Sequence, residues 1–258
     1  MSKTCLFYFS GTGNSRVIAQ ALAGRLQARC MSMAKSAEVE SSWLTATDAV
    51  GFVFPVHMFG VPRFVERFIQ DRANLAGRYV FAVATYAGLA GGTMNRLEKL
   101  VTRLGGQLSG GFVIPMPNSY IPLGGPPPTE VQAQLFLASH EKVEQIATYV
   151  QARQQGTVAR GRGLVTVLTG LAHNLASTQV STMDKSFRVN ETCNSCGLCQ
   201  QLCPVGNIVL QNDHPEWRHH CEQCFACLQW CPQQAIQFGK KSEHTPRYHH
   251  PELAALND

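Results

Sequence analysis

A doubly wound parallel α/β sheet of five strands, followed by a small α+β domain built around cysteines, is the fold class these 258 residues predict. Three observations carry it. Apolar runs at Lys3–Phe9, Ala49–Pro55 and Tyr79–Thr85 alternate with stretches of helical periodicity, as buried parallel strands and their crossovers do. Eight of the ten cysteines fall between Cys193 and Cys231. The segment that holds them repeats its own spacing once.

Taken in order, Lys3–Phe9 is a strand that runs into the turn-rich Ser10-Gly-Thr-Gly-Asn-Ser15. Arg16 to Arg29 follows as a helix with Val17, Leu22 and Leu26 among its apolar positions. Ala49–Pro55 and Tyr79–Thr85, each bounded by Gly or Pro, read as strands buried on both faces. Phe64–Ile69 and Met94–Leu104 are the helices that alternate with them, Phe112–Ile114 gives a last strand, and Glu130–Gln155 a long closing helix. Right-handed crossovers wind such a chain into one sheet covered on both faces. Cys5 and Cys30 lie in predicted strands and read as buried core.

The expected division is a first domain over 1–155, a connector over 156–183, a cysteine domain over 184–241 and a tail over 242–258. In the connector Leu164, Leu168, Leu171 and Leu175 recur at helical spacing. That stripe predicts packing against one domain or a bridge between both, with membrane attachment as the alternative. The tail Arg247-Tyr-His-His-Pro251 has no usable periodicity; docking is the simpler reading of His249 and His250, a metal site the other.

A hydrophobic fraction of 45% and a charged fraction of 15% suit a compact chain, not a disordered one. No leader with a cleavage site is apparent, and the apolar runs fall far short of the roughly 18–20 residues of a membrane span. A cytoplasmic chain without an integral membrane segment is expected, and there dense cysteine suggests metal over disulfides. The net charge of +5 is uneven: +7 up to Met183 and −2 beyond it. Such charge governs docking, and the two halves either attract one another or merely vary. The basic residues are scattered and no nucleic-acid motif accompanies them, so nucleic acid is not an expected partner.

Cys193-x2-Cys196-x2-Cys199-x3-Cys203-Pro204 is followed by Cys221-x2-Cys224-x2-Cys227-x3-Cys231-Pro232. This is the spacing of bacterial two-cluster ferredoxins, in which the fourth cysteine of each run ligates the other cluster. Three thiolates on a tight loop reach three irons of a cube, and the fourth points away to its neighbour. One [4Fe–4S] cluster is therefore assigned to Cys193, Cys196, Cys199 and Cys231, the other to Cys221, Cys224, Cys227 and Cys203. Zinc also binds C-x2-C pairs, but four cysteines and a proline, occurring twice, are poorly explained by it. Gly197 lets backbone pass close to a cluster. Ile208 and Ile236 fall at equivalent points as paired core residues, and Trp217 either shields a cluster or fills the core.

Ser10, Gly11, Thr12, Gly13, Asn14 and Ser15 sit between strand and helix, where backbone N–H groups and the helix dipole favour an anion. The loop carries no carboxylate and suits a phosphate monoester; a plain tight turn is the competing reading. It lacks the Gly-Lys-Ser/Thr of a Walker loop and the third glycine of a dinucleotide fingerprint. Ligands of open α/β sheets bind beyond the carboxyl ends of the strands at the switch point, as FMN does in flavodoxins. Two strand ends could line a flat ring there: Pro55, Val56, His57, Met58, Phe59 and Gly60, then Thr85, Tyr86, Ala87, Gly88 and Gly92. Met58, Phe59 and Tyr86 are candidates to pack on the ring. His57 is a tempting proton donor, although a loop histidine is more often structural or solvated. The long Pro115–Pro128 loop is expected to cover the site, with Asn118 and Tyr120 facing it.

Tyr8-Phe-Ser-Gly-Thr-Gly-Asn-Ser15, the Phe54-Pro-Val-His loop, Met116-Pro-Asn118, both cysteine runs and the Arg247–Pro251 tail together resemble the bacterial flavodoxin–ferredoxin fusion proteins of the ferrodoxin family. The resemblance implies FMN in the first domain, two [4Fe–4S] clusters in the second, and electrons passing between them. It departs in one respect: free-standing flavodoxins are typically acidic, and this domain is basic. An oxidoreductase working as an electron carrier is the leading expectation, with a protein redox partner such as a ferredoxin-like donor, a reductase or an acceptor. A small-molecule acceptor at the flavin is the alternative, and a redox-sensing module a third.

Overall fold

The computed structural model describes residues 3–38, 47–72, 75–161 and 163–256. The first half alternates β1 (Thr4–Tyr8), α1 (Asn14–Leu26), β2 (Arg29–Ser32), β3 (Ala49–Pro55), α2 (Arg63–Arg72), β4 (Tyr79–Tyr86), α3 (Thr93–Arg103), β5 (Leu108–Pro115), α4 (Thr129–Gln151) and β6 (Thr157–Val158). Every strand pairs parallel with its neighbours in the order β2-β1-β3-β4-β5-β6. The expected five strands form the body. A sixth, two residues long, comes from the stretch expected to begin the connector and extends the edge at Gly110 and Gly111.

The pleat divides the core. Phe7, Phe52 and Phe54 project to the face covered by Val65 and Ile69 of α2 and Leu97 and Val101 of α3. Leu6, Val53 and Phe81 project to the other, beneath Ile18 and Leu22 of α1 and Val143 and Ile146 of α4. Two buried faces explain why the strands read as unbroken apolar runs. Cys5 is buried in the first layer, and Cys30 is partly buried beside the second. Helix α4 ends at Gln151, four residues before the sequence suggests, and the chain returns through a left-handed Arg153 to start β6.

The connector forms helix α5 (Gly163–Gln179). Its leucine stripe does not pack: Leu164, Leu168, Leu171 and Leu175 are 55–74% exposed. The buried residues are Thr169 and His173. The reason is local. A Cβ on Gly91 or Gly92 would crowd Thr169 and Thr166, and one on Gly60 would overlap the His173 ring. These glycines make room for short polar side chains where leucine would not fit. Among the described residues no helix is long and apolar enough to cross a membrane.

The second half holds β7 (Phe187–Val189) paired antiparallel with β10 (Ile236–Phe238), and the hairpin β8 (Ile208–Gln211)–β9 (His214–Trp217). Between the strands lie two short helices, α6 (Leu198–Leu202) and α7 (Ala226–Gln229), each beginning just after the second cysteine of its run. Ile208 and Ile236 are buried with Phe187, Phe225 and Leu228. Trp217 stacks on Phe187 at 5.2 Å and packs against this core beside the cluster cysteines.

Candidate flavin cavity and cysteine quartets

A cavity of about 360 Å³ opens at the carboxyl ends of β1, β3, β4 and β5, where the strand order reverses. All the flavin-loop residues named from the sequence line it except Gly13, Gly60, Gly88 and Gly92. Those four lie outside the lining. Gly13 turns the chain into α1 at φ +103°, and Gly60 closes a two-bond bridge with His57. Gly88 faces open space, and Gly92 precedes α3 under Thr166.

The Ser10–Ser15 loop is organised by its own polar groups. Gly13 N–H donates to Ser10 Oγ at 3.1 Å, and the Ser15 and Thr85 hydroxyls share a 2.7 Å bond. Asn14 bonds to protein at both ends of its amide. Its amide donates to the Pro117 carbonyl at 3.0 Å, and its oxygen accepts from the Tyr248 hydroxyl at 2.6 Å. The amide expected to hold a ligand therefore ties the loop to the cover and to the tail. Asn118 does similar work within the cover, donating to the Gly125 carbonyl at 2.8 Å and accepting from Tyr120 N–H at 3.1 Å. Tyr120 lies on the cavity and edge-on to Phe225, and Ile121 is buried in the core of the cysteine half.

Met58 and Phe59 both lie in the left-handed region, at φ 48° and 65°. Non-glycine residues seldom adopt it. The bridge between His57 and Gly60 forces the turn, and it presents Phe59 at the cavity with 41% of its surface exposed. His57 retains some surface toward the cavity, yet burial pulls its pKa down to about 4 while its ring bonds the Glu222 backbone. It is neutral at pH 7 and held as a structural group.

Several lining residues were not legible in the sequence: His173, Ser177 and Val180 from the connector, and Glu222, Gln223, Cys224 and Phe225 from the second cysteine run. His173 is buried, and its Nδ1 donates to the Met58 carbonyl at 3.1 Å. Its Nε2 and the Gln223 Oε1 are buried without partners. Glu222, also buried, accepts from Phe64 N–H at 3.2 Å and from Arg67 at 2.8 Å. Desolvation raises its pKa against the pull of these donors.

The two halves meet at the Ser10–Ser15 loop. A Cβ on Gly11 would overlap the Cys224 carbonyl oxygen and lie 2.9 Å from Cys224 Cβ. The Trp230 indole donates to the Gly11 carbonyl at 2.9 Å. The tail completes the junction: His250 N–H donates to the Thr12 carbonyl at 2.8 Å, and Leu253 packs over Gly13. His249 stacks on Trp230 at 4.2 Å, so the two tail histidines serve separate contacts.

The eight cysteines form two groups. Cys193, Cys196, Cys199 and Cys231 line a second, small cavity together. Cys199 feels the charges of the other three in that group; Cys224 feels those of Cys221 and Cys203. Cys227 is influenced by Cys224, Cys221 and Cys203, and more weakly by Cys199 in the first group. Among the described residues no three His, Cys, Asp or Glu side chains converge on a point that one ion could fill. Burial pushes the Cys199 thiol up to about 11 and Cys221 to about 12, and raises Cys224 and Cys227 as well. A thiol that coordinates a metal ion gives up its proton. Backbone N–H groups already point at sulfur: Asn207 to Cys203 at 3.1 Å, Ala235 to Cys231 at 3.3 Å.

Both cofactor types fit. The first cavity offers hydroxyls at a helix N-terminus, an apolar wall and unpartnered polar atoms; the cysteine groups offer eight sulfurs in two fours.

Comparison with known proteins agrees with this geometry. The flavodoxin-domain family matches residues 5–103, and the 4Fe-4S dicluster domain matches residues 192–236. No curated protein matches the chain. Similar solved structures include a flavodoxin from the domain Archaea, 14% identical over 56% of this chain and 98% of its own, TM-score 0.39. Oxidised flavodoxin 1 from Bacillus cereus is 17% identical over 58% and 98%, TM-score 0.39. Rubredoxin:oxygen oxidoreductase from Desulfovibrio gigas is 17% identical over 59% of this chain and 37% of its own, TM-score 0.41. The chain is a fusion of a flavodoxin domain and a 4Fe-4S dicluster domain, an electron-transfer protein of FMN and iron–sulfur clusters.

Proposed function

We propose that this chain relays electrons between an external protein partner and FMN through two clusters held in the crossed arrangement. Cys193, Cys196, Cys199 and Cys231 hold one; Cys221, Cys224, Cys227 and Cys203 hold the other. FMN exchanges one or two electrons and each cube one, so the pair converts single-electron delivery into two-electron storage. The chain contributes placement. One observation carries the reading: Cys224 lines the flavin cavity and fills the space a side chain at Gly11 would need. The second group therefore stands at the cavity wall. Cys196, in the first, is exposed and faces arriving partners.

Around the flavin, Ser10, Thr12 and Ser15 with the first turn of α1 would hold the phosphate, and Met58, Phe59 and Tyr86 the ring. Buried groups from three elements close the site and exclude water. A small-molecule acceptor is the second reading, favoured by the unpartnered His173 Nε2 at the cavity.

Anaerobic purification with iron, sulfide and flavin counted per chain tests the first reading. About eight irons and one FMN are expected, and Cys231→Ser should remove about half the iron while sparing the cube beside the flavin. Loss of only the flavin-side cube by EPR contradicts the crossed assignment. The two readings separate when the reduced protein is offered small oxidants and oxidised protein carriers in turn.

A further inference from the structure

Arg247 opens the tail segment that leads from the cysteine half to the phosphate loop. Its Nη2 donates to the Ile236 carbonyl at 2.9 Å and to Gln237 Oε1 at 3.1 Å, which fixes the guanidinium against β10. Nε and Nη1 are buried and meet no acceptor on the protein. A guanidinium N–H withdrawn from water without a partner is destabilising, and Arg carries five donors and no acceptor. A clip that merely held the tail would need Nη2 alone.

The guanidinium sits beside the fourth cysteine of the second run: Nη2 also reaches the Gln234 carbonyl at 3.4 Å, and Gln234 and Ile236 flank Ala235, whose N–H donates to Cys231 Sγ at 3.3 Å. The Cys231 and Cys227 thiols are the groups whose charge acts on Arg247, Cys231 the more strongly, and both favour its charged form against desolvation. Cys231 and Cys227 are assigned to different quartets. Sulfur in a cluster accepts hydrogen bonds, and such bonds, with the local net charge, set the potential.

We propose that Arg247 directs Nε–H and Nη1–H at the sulfurs of the bound clusters, chiefly the one ligated by Cys231, and so raises its reduction potential. This rests on the quartet assignment above. A fixed cation with two N–H donors stabilises the more negative, reduced cluster more than the oxidised one. Arg247 is a tuning residue, not a ligand.

The test compares wild type, Arg247→Lys and Arg247→Gln, each with iron and sulfide counted first. Those counts, with EPR of both cubes, check the assignment independently of Arg247. In fully loaded Arg247→Gln, the reduction equilibrium of the Cys231 cube should fall on the order of tenfold, about 59 mV for one electron, with a smaller fall in Arg247→Lys. Wild type carrying guanidino-15N arginine should also show nitrogen hyperfine coupling to that reduced cube, lost in Arg247→Lys. Equal potentials in all three proteins overturn the proposal. Should the variants lose iron, the wild-type coupling decides alone, and its absence overturns the proposal as firmly.

Discussion

The two cysteine loops share a backbone and differ in their neighbours. Ser195 and Gly197 in the first take left-handed φ values of 58° and 76°; Gln223 and Phe225, at the equivalent places in the second, take 52° and 58°. Each loop leads into a short helix, and each run's fourth cysteine accepts an N–H from four residues on. Yet Cys196 is exposed, whereas Cys224 lies against Gly11 at the flavin cavity. Position 197 keeps the glycine that a left-handed residue favours. Position 225 carries a buried phenylalanine that touches Tyr120, Phe187 and Phe238. One repeat leaves its second cysteine exposed; the other accepts backbone strain at Phe225 to build the contact between the two halves.

The sharpest way to break that comparison is to change the equivalent cysteines. Cys196→Ser and Cys224→Ser each remove a ligand, and each should cost up to about half of the iron. Only Cys224→Ser should also alter the flavin's absorbance, affinity or potential. If the two variants leave the flavin equally untouched, the second loop is not the flavin-facing one.

Next in size is the pair at positions 225 and 197. Phe225→Ala empties a buried site and should cost about 3–5 kcal/mol. Gly197→Ala meets only Leu210 Cδ1 at 3.8 Å and should cost about 1 kcal/mol, the strain of a left-handed alanine. Denaturant midpoints on anaerobic protein decide between this ordering and equal costs.

These differences explain what the sequence disclosed and what it hid. The dicluster domain was legible because ligand spacing is local: three cysteines on one loop must follow C-x2-C-x2-C to reach one cube. The Ser10–Ser15 turn at the cavity was legible for the same reason, as a strand, a turn and a helix in series. The junction was not. Gly11 and Trp230 are 219 residues apart, and neither carries a local pattern announcing the other. Helix α5 misled in another way. Its leucines suggest the buried side, but Thr166, Thr169 and His173 recur at helical spacing too and meet glycines 60, 91 and 92. A polar stripe opposite a row of distant glycines was the available signal, and it becomes visible only once the fold brings them together.

A smaller effect concerns His57, whose ring joins the second loop through the Glu222 backbone; the first loop has no such histidine. Unfolded, it titrates near 6.5; folded, at about 4. Between those values the unfolded chain binds more protons, so stability rises with pH. The contribution is complete above about pH 6.5 and is lost as pH falls toward 4. It amounts to at most about 3 kcal/mol, and less because part of the ring's surface opens on the cavity. His173 titrates in the same direction, burial lowering its pKa. His57→Gln should flatten, not abolish, the slope of unfolding free energy between pH 4.5 and 6.5. An unchanged slope assigns the acid sensitivity elsewhere.

The mildest change tests whether the junction acts on the flavin or only on folding. Tyr248→Phe removes one hydroxyl, the donor to Asn14 Oδ1 at 2.6 Å, and leaves the buried ring in place. A neutral buried bond is worth about 1 kcal/mol, and the Asn14 oxygen left behind adds a desolvation cost of similar size. Asn14 also holds the Pro117 carbonyl, so its slackening reaches both the phosphate loop and the cover. Affinity for FMN should therefore weaken about fivefold, as RT ln 5 is close to 1 kcal/mol, while iron content and cluster potentials stay at wild-type values. Equal losses of flavin and iron would instead mark Tyr248 as a general strut. Unaltered affinity would mean that the tail covers the loop without shaping it.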